Sequence, residues 1–177
     1  MPGFRQSLRP AAAEAVPPVT YDRRAMYANV LLIHSWLRWF TLVMCVGAIV
    51  YAARPPLPGS SELPGKRWDV YLMLAVDLQM LTGLILYFGL SDFTRAAMEH
   101  PYAAWHDPFV RYWGIIHAGA MFAALLTVRV ARVLALNAPT PEIAQRRRLV
   151  WHVISTIVIL AAVPWPGLSV GRPLFRW

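Results

Sequence analysis

Four apolar runs dominate the chain, at about 26–53, 68–90, 110–132 and 141–163. Each is near the ~20 residues that carry an α-helix across a bilayer. Polar and helix-breaking residues separate them. Arg54-Pro55-Pro56 stops the first run, because a proline ring removes a backbone donor and clashes with the preceding turn. A Pro/Gly/Ser stretch then leads to Lys66-Arg67, and the second run ends at Ser91-Asp92. Residues 91–109 form a polar connection holding Glu99, His100, His106 and Asp107. Asn137-Ala138-Pro139 breaks the third run, whose Arg129 and Arg132 are long enough to snorkel. Thr140-Pro141-Glu142 reads as N-cap, N1 proline and first-turn acid of a fourth helix. That helix passes Arg146, Arg147 and Arg148 at the membrane interface and ends at Pro164 and Pro166. The pattern predicts an all-α integral membrane protein, a four-helix bundle of up-down topology spanning 26–166. A basic extended tail (1–25) precedes the bundle and a short tail (167–177) follows it.

The first run has a polar face. Tyr27, His34, Arg38, Thr41 and Cys45 recur in steps of seven, four, three and four, which places them on one side of a helix. That side must face the bundle interior or a partner. Arg38 lies roughly ~16 Å into the first span, and Asp77, counted from the opposite side, roughly ~15 Å into the second. A lone charge at that depth costs ~2.5–3.5 kcal/mol, so Arg38 and Asp77 are expected to form a buried ion pair. Gln79 and Thr82 lie on another face of the second helix than Asp77.

His34 and His117 each stand about two turns inside an apolar run, in the first and third spans. These spans run parallel in an up-down bundle, so the two imidazoles sit at one depth. Two imidazoles facing one interior suit axial ligation of a haem iron, and intramembrane histidines are functional candidates by default. Two alternatives stay open. The histidines can simply hydrogen-bond within the bundle, or one can ligate the magnesium of a chlorophyll-type pigment. His152 has no second histidine at its depth and reads as a polar contact with Ser155 and Thr156. His100 and His106 with Asp107 have no specific metal-ligand spacing and read as a solvated loop.

Composition agrees with the pattern. The chain has 177 residues, 58% of them hydrophobic, and a mean hydropathy of +0.44, well above the ~45–50% apolar content of soluble domains. The formal net charge of +8 gathers at the ends of the runs, where it meets lipid headgroups. No basic stripe interleaved with aromatics suggests nucleic acid as a partner. Five tryptophans (Trp36, Trp39, Trp68, Trp113, Trp151) fall near predicted interfaces, as an aromatic belt does. The single cysteine, Cys45, excludes an intrachain disulfide, and no C-x-x-C-H is present for covalent haem. The early arginines are not followed by the apolar segment of a cleavable signal. By the positive-inside rule the Lys/Arg counts lead us to expect loops one and three on the cytoplasmic side and both termini on the periplasmic side.

Three stretches carry a resemblance: His34-Ser35-Trp36-Leu37-Arg38-Trp39, Gln79-Met80-Leu81-Thr82-Gly83-Leu84-Ile85-Leu86-Tyr87-Phe88, and Ile159-Leu160-Ala161-Ala162-Val163-Pro164-Trp165-Pro166. Together they resemble a family of small four-span bacterial membrane proteins described as cytochrome-b-like, over about residues 26–166. The resemblance implies that His34 and His117 match the family's histidines in spans one and three. It also marks two departures. Asp77 stands where the family often has a histidine, and Ile116-His117-Ala118 stands where it tends to have Glu-His-Pro. The expected function is a membrane b-type cytochrome or electron-transfer subunit holding one haem b, with Arg38 at a propionate or tuning the charge. The alternative is a cofactor-free accessory subunit docked on a larger respiratory or photosynthetic complex. No catalytic acid-base pair or nucleophile is visible, and the expected partners are the bilayer and other membrane-complex subunits.

Overall fold

The computed structural model describes residues 22–55 and 66–176. Most of the predicted N-terminal tail, the Pro/Gly/Ser stretch of the first loop, and Trp177 lie outside the described residues. Within them the chain is helical and strand-free. The helices are α1 (Arg23–Ala52), α2 (Lys66–Leu90), α3 (Asp92–Glu99), α4 (Pro101–His106), α5 (Pro108–Leu136) and α6 (Pro141–Ala162). Three of them, α1, α2 and α5, are long and apolar enough to cross a membrane. The fourth long helix, α6, carries Arg146, Arg147 and Arg148 in its first half.

Helix starts follow the sequence closely. Asp22 accepts from the backbone N–H groups of Arg24 and Ala25, so the predicted tail gives way to helix at Arg23 rather than after residue 25. Thr140 accepts from the Ile143 N–H with Pro141 at N1, the cap the sequence predicts. The connection 91–109 is not the open loop expected. Ser91 caps α3, Pro101 starts α4, and Asp107 caps α5 with Pro108 in its first turn. Two short π-helical segments interrupt α-geometry: Ile85–Leu90 at the end of α2 and Tyr112–Ile116 within α5, immediately before His117. The Tyr87 hydroxyl donates to the Gly114 carbonyl and ties the two segments together (2.8 Å). Gly114 also lets α3 lie close to α5, since a Cβ there would come within 2.5 Å of the Ala97 methyl.

The four long helices contact one another in a closed ring, α1 on α2 and α6, α5 on α2 and α6. Thus α1 and α5 face each other diagonally, as do α2 and α6. The interior is built of small and medium side chains: Cys45, Ala48, Leu72, Val76, Ala124, Val128, Ile159 and Val163. Gly47 admits the ring of Trp68 against α1, and Tyr51 stacks on that ring. Large apolar residues instead face outward. On α1 the exposed stripe is Ile33, Phe40, Val43, Val46 and Val50.

The charges do not pair as the sequence suggested. Asp77 bonds Arg129 of α5 at 2.6 Å, while Arg38 donates to the Leu174 carbonyl at 2.6 Å. Asp77 points away from the face that carries Gln79 and Thr82, so it meets α5, and Arg129 reaches across to it in a half-exposed pair. A second ionic cluster is fully interior. Asp69 of α2 accepts from Arg148 Nε (2.7 Å) and from His152 Nε2 (2.9 Å), both on the diagonal helix α6. All three side chains are at most 2% exposed. Arg148 is therefore not at the interface. Three consecutive arginines point about 100° apart on a helix, and the third turns inward. His152 makes its ring contact with Asp69, and Thr156 merely donates to the His152 backbone carbonyl.

Candidate functional site

The His34 and His117 rings meet across the α1–α5 diagonal, with centroids 6.5 Å apart and planes inclined at 70°. Both line a cavity of about 240 Å³ with a largely apolar wall. The three motif stretches converge on this pair, and each supports it in a definable way.

The second motif holds His34. Gln79, Thr82 and Gly83 share one face of α2, spaced three and four residues apart. The Thr82 hydroxyl spends its proton on the carbonyls of Leu78 and Gln79. Its oxygen must then accept from His34 Nδ1–H, at 3.0 Å. The Gln79 amide donates to the remaining lone pair on His34 Nε2, also at 3.0 Å. This tautomer follows from the hydrogen-bond network. Gly83 gives the imidazole its place, because a Cβ there would stand 3.3 Å from His34 Cε1.

The third motif holds His117. In a continuing helix the Ala162 carbonyl would accept from residue 166 and the Leu160 carbonyl from residue 164. Both residues are prolines and have no N–H to give. The Leu160 carbonyl takes the Trp165 indole N–H instead (2.8 Å). The Ala162 carbonyl takes His117 Nδ1–H and the Tyr112 hydroxyl, each at 2.8 Å. The Pro-x-Pro ending of α6 is thus the reason His117 is anchored through Nδ1. Its Nε2 has no hydrogen-bond partner among the described residues. Trp113 stands beside it at 5.5 Å between ring centres, so this tryptophan belongs to the cavity rather than to an interfacial belt.

The first motif supplies Arg38, Trp36 and Trp39. Arg38 lines the cavity with His34, four residues away on α1, and is 9% exposed. Its guanidinium and the Trp39 indole both donate to the Leu174 carbonyl, at 2.6 and 3.0 Å. The C-terminal residues therefore fold back over α1 instead of trailing as a tail. Three polar atoms of cavity-lining residues are buried without a hydrogen-bond partner: Arg38 Nε, Gln79 Oε1 and Trp113 Nε1.

Sequence reasoning missed two features. Thr82, Gln79 and the Ala162 carbonyl were not recognised as the supports of the histidines, although Pro164 and Pro166 signal a free carbonyl. Asp69 was not singled out, although Arg148 and His152 are an i, i+4 pair that needs an acid opposite it. His100 and His106 take no part in the site; the His106 ring bonds the Tyr102 carbonyl and packs on the Tyr102 ring of its own helix. Among the described residues no three His, Cys, Asp or Glu side chains gather as a metal cluster. No family model, curated protein or solved structure matches the chain.

Proposed function

We propose that the chain is a four-span, up-down helical bundle of the bacterial inner membrane that holds one b-type haem between His34 and His117, as a cytochrome or electron-transfer subunit. Membrane integration is supported by the reversed distribution of side chains, with polar groups and small residues inside and Ile33, Phe40, Val43 and Val46 outside. A bilayer solvates such a surface at no cost, whereas water does not. The Lys/Arg balance supports termini on the periplasmic side.

One observation carries the haem reading: two imidazoles on diagonal helices, 6.5 Å apart, each with Nδ1–H bonded to an oxygen. Metal-ligating histidines are anchored in that way, which leaves Nε2 for the metal. With metal–nitrogen bonds of roughly 2 Å, two imidazoles on one metal place their centres ~6 Å apart, so the pair fits the group. The Gln79 amide now holds the His34 lone pair. Ligation through His34 Nε2 would require that amide to turn away and find another acceptor, in a wall where its Oε1 is already buried without a partner. A bound haem would supply one-electron exchange. The chain's own residues hold the two imidazoles, keep water out with an apolar wall, and bring the Arg38 charge close to both.

The hydrogen bonds on both His34 nitrogens favour a second reading, a cofactor-free accessory subunit of a larger membrane complex. The test is a reduced-minus-oxidised absorption spectrum of the purified protein. Haem predicts paired Soret and α bands that vanish in His34→Ala and in His117→Ala. A colourless protein from haem-replete cells refutes the cytochrome and leaves the accessory subunit, and far-red bands would identify a chlorophyll-type pigment.

A further inference from the structure

The C-terminal segment 164–176 follows a fixed path across the end of the helical ring. Gly167 turns the chain at φ +91, and the Gly171 N–H closes on the Leu168 carbonyl at 2.8 Å. A Cβ at Gly171 would come within 2.5 Å of the Trp165 carbonyl, so the turn is sealed against any side chain. The Arg172 N–H then donates to the Pro164 carbonyl at 3.0 Å, and its guanidinium lies 4.9 Å from the Trp113 ring centre. The chain finishes on α1. The Leu174 carbonyl takes Arg38 and Trp39, the Phe175 ring stacks on Trp39 at 5.3 Å, and the Arg176 carbonyl takes the Trp36 indole at 3.2 Å.

This path delivers Arg172 and Arg176 to the wall of the histidine cavity, where Arg38 already stands. Among the described residues no Asp or Glu lines that cavity, and none of the three arginines has a carboxylate partner. Arg38 and Arg176 are close enough to repel each other. Arg38 Nε is buried without a hydrogen-bond acceptor, in a side chain more than nine-tenths buried. Among the described residues, the three guanidinium groups around this apolar cavity have no counter-charge. A ligand that brings an apolar body and an anionic end satisfies both halves of the site, and guanidinium matches carboxylate geometry through paired donors.

Building on the haem reading, we propose that segment 164–176 is a strap that completes the binding site, with Arg172 and Arg176 joining Arg38 to hold the two propionate carboxylates. The strap thereby selects for the acid form of the macrocycle and orients it within the ring. The test compares the full-length wild type with Arg172→Gln, Arg176→Gln and the double variant. Each is stripped of haem and titrated with haem b and with its dimethyl ester, in which both carboxylates are masked. The expected result is at least about a tenfold weaker binding of haem b by the double variant, with the dimethyl ester binding wild type and variant alike. The haem midpoint potential should fall as cations beside it are removed. Unchanged haem affinity and potential in the double variant, with a wild type that holds haem, overturn the strap but keep the cytochrome. Equal losses for haem b and its ester also overturn it, because carboxylate recognition is then not what was removed. A wild type that takes up neither compound overturns the haem reading and the strap together.

Discussion

Asp69→Ala is the most informative single substitution for the stability of this protein. The Asp69 carboxylate accepts from Arg148 Nε at 2.7 Å and His152 Nε2 at 2.9 Å. Hydrogen bonds to charged groups contribute ~1.5–3 kcal/mol each, and breaking one side of a buried pair costs about 3–5 kcal/mol because the other charge stays behind. Arg148 is 2% exposed and already has Nη1 without a partner, as has His152 Nδ1. Among the described residues no other acid is bonded to Arg148, so the full penalty falls on the variant, about 4 kcal/mol by the same comparison. Replacing both partners, as in Asp69→Leu with Arg148→Met, removes the stranded charge and should cost less than half as much. The measurement is reversible unfolding in mixed micelles with increasing dodecyl sulfate, followed by helical circular dichroism. Equal losses from the single and double variants would refute the reasoning, as would a loss under about 1 kcal/mol for Asp69→Ala. Asp77→Ala is the internal comparison. Its partner Arg129 is 38% exposed on the side chain and can swing its head toward an interface, so the loss should be clearly smaller.

Two further outcomes follow from packing and capping. Gly47→Ala drives a methyl group into the Trp68 ring and should cost about 1–3 kcal/mol in the same unfolding assay. Trp68→Leu in the Gly47→Ala background should recover part of it, and no recovery would place the damage elsewhere. Thr140→Ala removes the acceptor for the Ile143 N–H and should cost about 0.5–2 kcal/mol, while Thr140→Ser should be near neutral.

The helical runs were legible because lipid-length apolar segments bounded by proline and arginine admit few other readings. The caps at Thr140 and Asp107 are local chemistry and lie on the surface of the sequence; the first was read and the second overlooked. The π-helical segments were not legible, because one extra residue in a turn leaves no mark on composition or period. Yet the segment at Tyr112–Ile116 ends directly before His117. The meeting of His34 and His117 followed from matched depth. Their supports did not, since Thr82 and Gln79 were assigned only to a different face from Asp77. The Arg38–Asp77 pairing failed for a related reason: depth alone cannot choose between two cations, and Arg129 stands nearer the face that Asp77 presents. Arg148 was hidden among three arginines whose sequence neighbours point in different directions.

The two diagonal contacts brace the ring in different ways. Four parallel members joined only along their sides can shear from a square into a rhombus, and only a cross-brace prevents it. At one end of this ring the brace is closed, through Asp69 between α2 and α6. At the other end it runs between α1 and α5 but stops at two imidazoles that face each other without a direct bond. There the crossing is made by the C-terminal segment, whose Arg172 lies on Trp113 of α5 and whose Leu174 carbonyl holds Arg38 and Trp39 of α1, and a group that joined His34 to His117 would be a second, direct strut as well as a cargo.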